Sequence, residues 1–297
     1  MRTETAVCDI VSDEELNQYR TRGFVYLRNV LPSSLLDDIQ GIMQPVVDYL
    51  IDGWRQGGQI QSSYSDLDFW HRLLEAWRSA GQPPFRRRPY LFLINPEMYG
   101  LFRRPELLAI AERVLGTSEI NVHGLFNGRP QLPGAPWLET PWHQDAQYWN
   151  LDYGQVEPDK ERRTHVVTMW IPLQVVTEKN GALRFMSKID TKDQMFEPHE
   201  FDFKNTGFLG LGPDDVTRFP HHYEPMDRGD VVIFDQRTPH GANLNKSNAI
   251  RWSIDIRYEA TATATIVGKK FGFIAQSKKN PASETPLEEW ITKRQQA

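Results

Sequence analysis

Three side chains in the second half of the chain have the types and spacing of a metal site. His143 and Asp145 stand two apart in Pro141-Trp142-His143-Gln144-Asp145, and in an extended strand positions i and i+2 share a face, so both could grip one ion. A third ligand must come from elsewhere. The best candidate is His240, which lies 97 residues beyond His143 and just after the apolar run Val231–Phe234. Two imidazoles and one carboxylate on one side of an ion form the facial triad of non-haem Fe(II) sites, which leaves positions free for a co-substrate and dioxygen.

Eleven residues after His240 comes Arg251, at the head of Arg251-Trp252-Ser253-Ile254-Asp255. A guanidinium there would clamp a carboxylate through two parallel bonds, and 2-oxoglutarate carries a distal carboxylate that needs such a partner once its 2-oxo acid end chelates iron. His-x-Asp alone is a weak signal. The order His-x-Asp, strand-borne His and then Arg is what raises it.

The elements that must position these groups follow from patterning. Ser12-Asp13-Glu14-Glu15 reads as a helix N-cap with first-turn acids, and Gly23 as that helix's end. Phe24–Leu27 is a short β-rich run. Pro32-Ser33-Ser34 opens a second helix with Leu35, Leu36, Ile39, Ile42 and Met43 on one side. Beyond Gly116 the texture changes to β-branched and aromatic runs at Ile120–Phe126, Val166–Val176, Ala182–Met186, Asp230–Phe234 and Arg251–Ala260. Short strands joined by loops predict a β-sandwich or barrel rather than a βαβ sheet. The expectation is one domain over 1–297: a mainly helical layer to 115, a β core over 116–265 and a C-terminal segment over 266–297.

Composition narrows the function classes. The 297 residues carry 34 Lys and Arg against 39 Asp and Glu, a formal charge of −5, and are 39% hydrophobic with 9 Trp. That suits a folded core and gives no field that would gather nucleic acid or an anionic membrane. The single cysteine, Cys8, cannot form an internal disulfide, and no apolar run approaches the roughly 20 residues that span a bilayer. With no signal-peptide pattern at the start, the expectation is a cytoplasmic protein that acts on a small molecule.

Taken together, these segments resemble the phytanoyl-CoA dioxygenase family of Fe(II)- and 2-oxoglutarate-dependent oxygenases. The resemblance rests on Asp13-Glu14-Glu15-Leu16 with Gly23-Phe24-Val25 and Val30-Leu31-Pro32, on Trp142-His143-Gln144-Asp145, on Trp170-Ile171-Pro172-Leu173 with Asn180-Gly181-Ala182-Leu183, and on His240-Gly241, Asn245 and Arg251. It implies a mainly β fold with flanking helices, whose core is a double-stranded β-helix, the cupin-like jelly roll. His143, Asp145 and His240 would bind Fe(II), and Arg251 would pair with 2-oxoglutarate. Gln131, Thr168, Trp170 and Asn245 would line the co-substrate pocket. Asn127 and Arg129 would orient polar groups of the substrate.

The implied reaction is oxidation, most simply hydroxylation, of a C–H bond in a small organic molecule by O₂, with release of succinate and CO₂. A Zn²⁺ enzyme using the same three ligands, or a non-catalytic jelly-roll binding protein, are the alternatives. Two departures from the family pattern bear on substrate. Phe185-Met186-Ser187-Lys188-Ile189-Asp190 stands where relatives commonly show Pro-Gly-Ser-His, and Ala242 where they often show Ser. Asp145 is a carboxylate where halogenating members have a small residue, which favours hydroxylation or another oxidation. Further candidates for the pocket are the aromatic stretch Tyr64–Trp77, Arg86-Arg87-Arg88 as an anion contact, and His221-His222.

Overall fold

Ser12 starts helix α1 (Asp13–Arg22) with a reciprocal cap: the Glu15 N–H donates to the Ser12 hydroxyl and the Ser12 N–H to the Glu15 carboxylate. Gly23, at φ +84°, turns the chain out of the helix and into strand β1 (Phe24–Leu27). Helix α2 (Ser33–Gln56) buries the expected stripe, extended by Val46, Val47, Leu50, Ile51 and Trp54. It packs with α3 (Phe69–Ser79), α4 (Pro96–Phe102) and α5 (Pro105–Leu115). This computed structural model describes residues 10–85, 93–151, 164–200 and 209–296. Cys8 and Arg86-Arg87-Arg88 lie outside the described residues.

Among the described residues the β region forms two main antiparallel sheets and a small two-stranded one. In chain order its elements are β2 (Glu119–Val122), β3 (Asn127–Gln131), β4 (Thr140–His143), α6 (Asp145–Leu151), β5 (Val166–Pro172), β6 (Leu183–Phe185), α7 (Lys188–Thr191), β7 (His199–Glu200), β8 (Leu209–Gly210), α8 (Pro213–Arg218), β9 (Val231–Asp235), β10 (His240–Ala242) and β11 (Arg251–Ala260). The major sheet runs β1-β9-β5-β11-β2, with β3 also paired to β11; the minor sheet runs β4-β10-β6, and β7 pairs with β8. Beyond β11 come α9 (Ile266–Phe271), β12 (Phe273–Ser277) and α10 (Leu287–Gln295), and β12 extends the major sheet at β2. The C-terminal segment therefore adds a strand that its short pattern does not announce.

The two sheets face each other across Phe24, Trp170, Val232 and Phe234 from the major sheet and Leu183, Phe185 and Ala242 from the minor one. Phe24 stacks on Phe185 with ring centroids 4.6 Å apart. This is the jelly roll the sequence predicts. The opposite face of the major sheet lies under the helices, where Phe69 meets Trp252 at 4.6 Å and the Tyr258 hydroxyl donates to the Phe102 carbonyl. The aromatic stretch Tyr64–Trp77 is thus spent on the helical layer, behind β11 and away from the cavity. Gly128 lets α2 approach closely, since a Cβ there would sit 2.2 Å from the Met43 sulfur. Among the described residues no helix is long and apolar enough to cross a membrane.

Candidate metal centre and co-substrate pocket

His143 ends β4 and His240 begins β10, and the two are direct cross-strand partners with ring centroids 4.2 Å apart. Asp145 reaches them differently from the expectation. The strand stops at His143, the chain turns at Gln144, and Asp145 is the first residue of α6. The turn is held by the buried Gln144 side chain, whose amide donates to the carbonyls of Gln194 and Arg237 and accepts from the Phe196 N–H. The three side chains are buried and offer ligand atoms that all lie within 4.8 Å of one another.

Hydrogen bonding aims the donors. His143 Nδ1 bonds the Pro141 carbonyl at 2.8 Å and His240 Nδ1 the Thr238 carbonyl at 3.0 Å. Carbonyls only accept, so both Nδ1 atoms carry the proton and both Nε2 lone pairs are left for a metal. Burial, reinforced by His143, pushes the His240 imidazole down to about 3, so it stands neutral and ready to ligate. For Asp145 burial alone would raise the carboxyl, but Arg257 and the two histidines outweigh it and hold the group well below the usual range. Two imidazoles with free Nε2 atoms and an ionised carboxylate suit a divalent cation, so the donor set fits iron.

Arg251, at the head of β11, is 1% exposed and has no carboxylate within reach among the described residues. Its Nη1 donates to Ser253 Oγ at 2.6 Å and its Nη2 to Gln131 Oε1 at 2.9 Å, while its Nε has no partner among the described residues. The guanidinium lies 5.1 Å from the Trp170 ring centre. Burial, with Arg129 nearby, pushes it down to about 9, and Asp255, beyond ion-pair distance, offsets this only in part. Arg251 and Trp170 line one cavity with His143 and His240, closed by Leu183 and Phe234.

Other predicted residues take different places. Thr168 and Asn245 are not among the lining residues: the Thr168 hydroxyl donates to Asp145 Oδ2, and the Asn245 amide donates to the carbonyls of Gln131 and Ala249. One therefore steadies a ligand and the other a loop. Gln131 reaches the pocket through Arg251. Asn127 also stays out of the lining, since its amide is given to Asp255, whereas Arg129 lines the cavity and donates through Nε to Asp255 Oδ2 at 2.8 Å. His221 bonds the Val216 carbonyl and His222 bonds Asp190. Ala242 lines the cavity without a hydroxyl.

The sequence reading passed over Asp255 and Arg257. Arg257 is buried and grips Asp145 with one edge of its guanidinium and Asp255 with the other, Nη1 to Oδ1 at 2.7 Å. Burial would push Asp255 up, but Arg129 and Arg257 draw it below its ordinary value. The signal was legible. Over Arg251–Glu259 polar and apolar residues alternate strictly, so Arg251, Ser253, Asp255 and Arg257 share the face opposite to Trp252, Ile254 and Ile256.

Comparison with known proteins agrees with this geometry. Residues 19–253 match the family described as Phytanoyl-CoA dioxygenase (PhyH). An L-proline trans-4-hydroxylase of Streptomyces griseoviridis is 35% identical over 83 residues, which is 28% of either chain. EvdO2 of Micromonospora carbonacea var. aurantiaca, solved with 2-oxoglutarate, superposes with a TM-score of 0.51 at 20% identity over 84% of this chain and 91% of its own. The non-heme alpha ketoglutarate dependent carbocyclase SnoK from nogalamycin biosynthesis gives 0.54 at 18% over 94% and 93%. These two likenesses speak for the fold. The family match covers more than three quarters of the sequence and includes all three candidate ligands and Arg251; the chain belongs to the phytanoyl-CoA dioxygenase family.

Proposed function

We propose that this chain oxidises a C–H bond of a small organic molecule, most simply by hydroxylation, using Fe(II), O₂ and 2-oxoglutarate and releasing succinate and CO₂. The observation that carries this reading is a buried cation, Arg251, with no carboxylate at ion-pair distance among the described residues, in the same cavity as His143 and His240 and beside the ionised Asp145. His143, Asp145 and His240 hold the iron, which when bound supplies the oxidising chemistry. Arg251 takes the distal carboxylate of 2-oxoglutarate, with Ser253 and Gln131 fixing the plane of the guanidinium and Trp170 forming a wall. The apolar lining from Leu183, Phe234 and Ala242 sheds water, so the Arg251 pair is stronger there than in solvent.

A carbocyclase among the structural neighbours and a hydroxylase among the sequence relatives mark two outcomes of C–H oxidation, ring closure and hydroxyl insertion. Hydroxyl insertion needs no second reacting group and is the simpler outcome. Succinate formation from 2-oxoglutarate by the Fe(II)-loaded protein in air, absent when either iron or O₂ is withheld, is the expected result. A protein that binds Fe(II) yet neither binds nor consumes 2-oxoglutarate would overturn it.

A further inference from the structure

β3 and β11 together carry the polar wall of the barrel. Their register pairs Gln131 with Arg251, Arg129 with Ser253 and Asn127 with Asp255. Among the described residues, the charged side chains that line the cavity or complete the triad are Arg129, Arg251, Arg257, Asp145 and Asp255. Three guanidiniums thus stand against two carboxylates. A divalent iron and a dianionic 2-oxoglutarate cancel one another, so the loaded site keeps one uncompensated positive charge.

The surplus can be assigned to a residue. Arg257 spends Nε, Nη1 and Nη2 on Asp145, Asp255 and the Leu125 carbonyl. Arg251 is committed to the co-substrate on the reading proposed above. Arg129 is different: it meets Asp255 through Nε alone, and its two Nη groups have no hydrogen-bond partner among the described residues. Its side chain is 27% exposed, at the rim of the same cavity. Asp255 cannot swing to cover the open edge, because Asn127 and Arg257 hold its other oxygen. Nη1 and Nη2 together present the planar, two-donor edge that matches a carboxylate.

We infer that Arg129 is a second anion subsite and that the molecule oxidised is a monocarboxylate, docked on the Nη edge of Arg129 while 2-oxoglutarate occupies Arg251. The inference rests on the proposed iron and 2-oxoglutarate reading and goes further by naming the substrate class. Asp255 locks Arg129 to Arg257, and Arg257 is locked to Asp145, so the carboxylate anchor is fixed relative to the metal ligands. A carboxylate held there leaves the substrate's carbon skeleton to extend toward the histidines.

The test uses full-length protein loaded with Mn(II) and saturating 2-oxoglutarate and titrated with ¹³C-acetate, a minimal monocarboxylate. Paramagnetic broadening of the acetate signals by the bound metal is expected to saturate. Arg129→Gln should weaken acetate by about tenfold or more, the worth of a charged hydrogen-bonded pair, with the 2-oxoglutarate dissociation constant unchanged within about twofold. Arg129→Lys should recover part of the loss, and the neutral isostere acetamide should not compete. Broadening that never saturates, or that survives Arg129→Gln undiminished, overturns the subsite. If 2-oxoglutarate itself fails to bind the Mn(II) protein, the underlying functional reading falls first and takes this inference with it.

Discussion

Arg257 holds Asp145 through two parallel bonds, Nε to Oδ2 at 2.9 Å and Nη2 to Oδ1 at 3.2 Å, with both side chains buried. The carboxylate is thereby fixed before any metal arrives, with Oδ1 3.7 Å from His143 Nε2. Replacing Arg257 by Met should lower Fe(II) affinity by about 10–100-fold, the usual effect of removing a partner that orients a ligand. It should also cost about 3–5 kcal/mol of stability, because Asp145 is left buried without its cationic partner while Asp255 keeps only Arg129 and Asn127. Arg257→Lys should not restore affinity, since a point charge cannot make the paired contact. Metal titration of 2-oxoglutarate-free protein checks this, and wild-type affinity in Arg257→Met would refute it.

Arg251 should behave in the opposite way in the absence of ligand. Its buried cation has no ion-pair partner among the described residues, so Arg251→Met removes a desolvation cost and should leave the ligand-free thermal midpoint unchanged or higher. The price appears on binding. In the wild type, 2-oxoglutarate at 100 times its dissociation constant should add about 2.7 kcal/mol, and in Arg251→Met that increment should vanish. Calorimetric melts with and without 2-oxoglutarate and Mn(II) decide the matter.

Glu259 sets a pH dependence remote from the iron site. It is buried at the end of β11 and accepts from Asn121 Nδ2 and the Thr265 N–H, and burial raises its carboxyl to about 7 against an ordinary 4.5. The folded state therefore favours the protonated form. Its contribution is fully present below pH 4.5, falls as pH rises from 4.5 to about 7, and is constant above that, a swing of about 3 kcal/mol. Glu259→Gln should be more stable than wild type at pH 8 and gain nothing at pH 4. Denaturant titrations at both pH values measure the difference; an equal gain at the two would contradict the assignment.

Phe69 packs on Trp252 from the helical side of β11. Phe69→Ala should cost about 3–5 kcal/mol through lost burial and a residual cavity. Because the ring lies behind the strand, the 2-oxoglutarate dissociation constant of the folded protein should not move. A weakened constant at a temperature where the variant is fully folded would place this aromatic stretch at the pocket after all.

Much of the site could be read from residue order. His143, Asp145, His240 and Arg251 were nameable because their chemistry is scarce and their spacing unusual, and their convergence needed only a sandwich that brings β4, β10 and β11 together. The geometry behind Asp145 was less accessible. An i, i+2 strand argument placed it beside His143, yet the chain turns at Gln144 and uses a helix start, a choice made by long-range bonds to Gln194, Arg237 and Phe196 that no local pattern records. Thr168 and Asn245 sit close to the pocket in sequence logic, but their hydroxyl and amide are claimed by Asp145 and by backbone carbonyls. The alternation in β11 was present in the letters and was followed only as far as its first arginine. β12 stayed hidden because it is only five residues long and its letters, Phe-Ile-Ala-Gln-Ser, show no clean polar–apolar alternation, so its place is set by pairing with β2.

That alternation makes β11 a ruler. The proposed co-substrate anchor Arg251, its hydroxyl support Ser253, the partner of Arg129 and the grip on Asp145 are graduations two residues apart on one strand, about 6.6 Å per step. Substitution can erase one mark and leave the others in place. Deleting a single residue between Arg251 and Arg257 instead rotates every mark on one side of the cut by half a turn, driving charges under the helices and Trp or Ile toward the iron. Length is thus the property of this strand that cannot drift, and new substrates have to be accommodated by exchanging side chains on β3 and at the cavity rim.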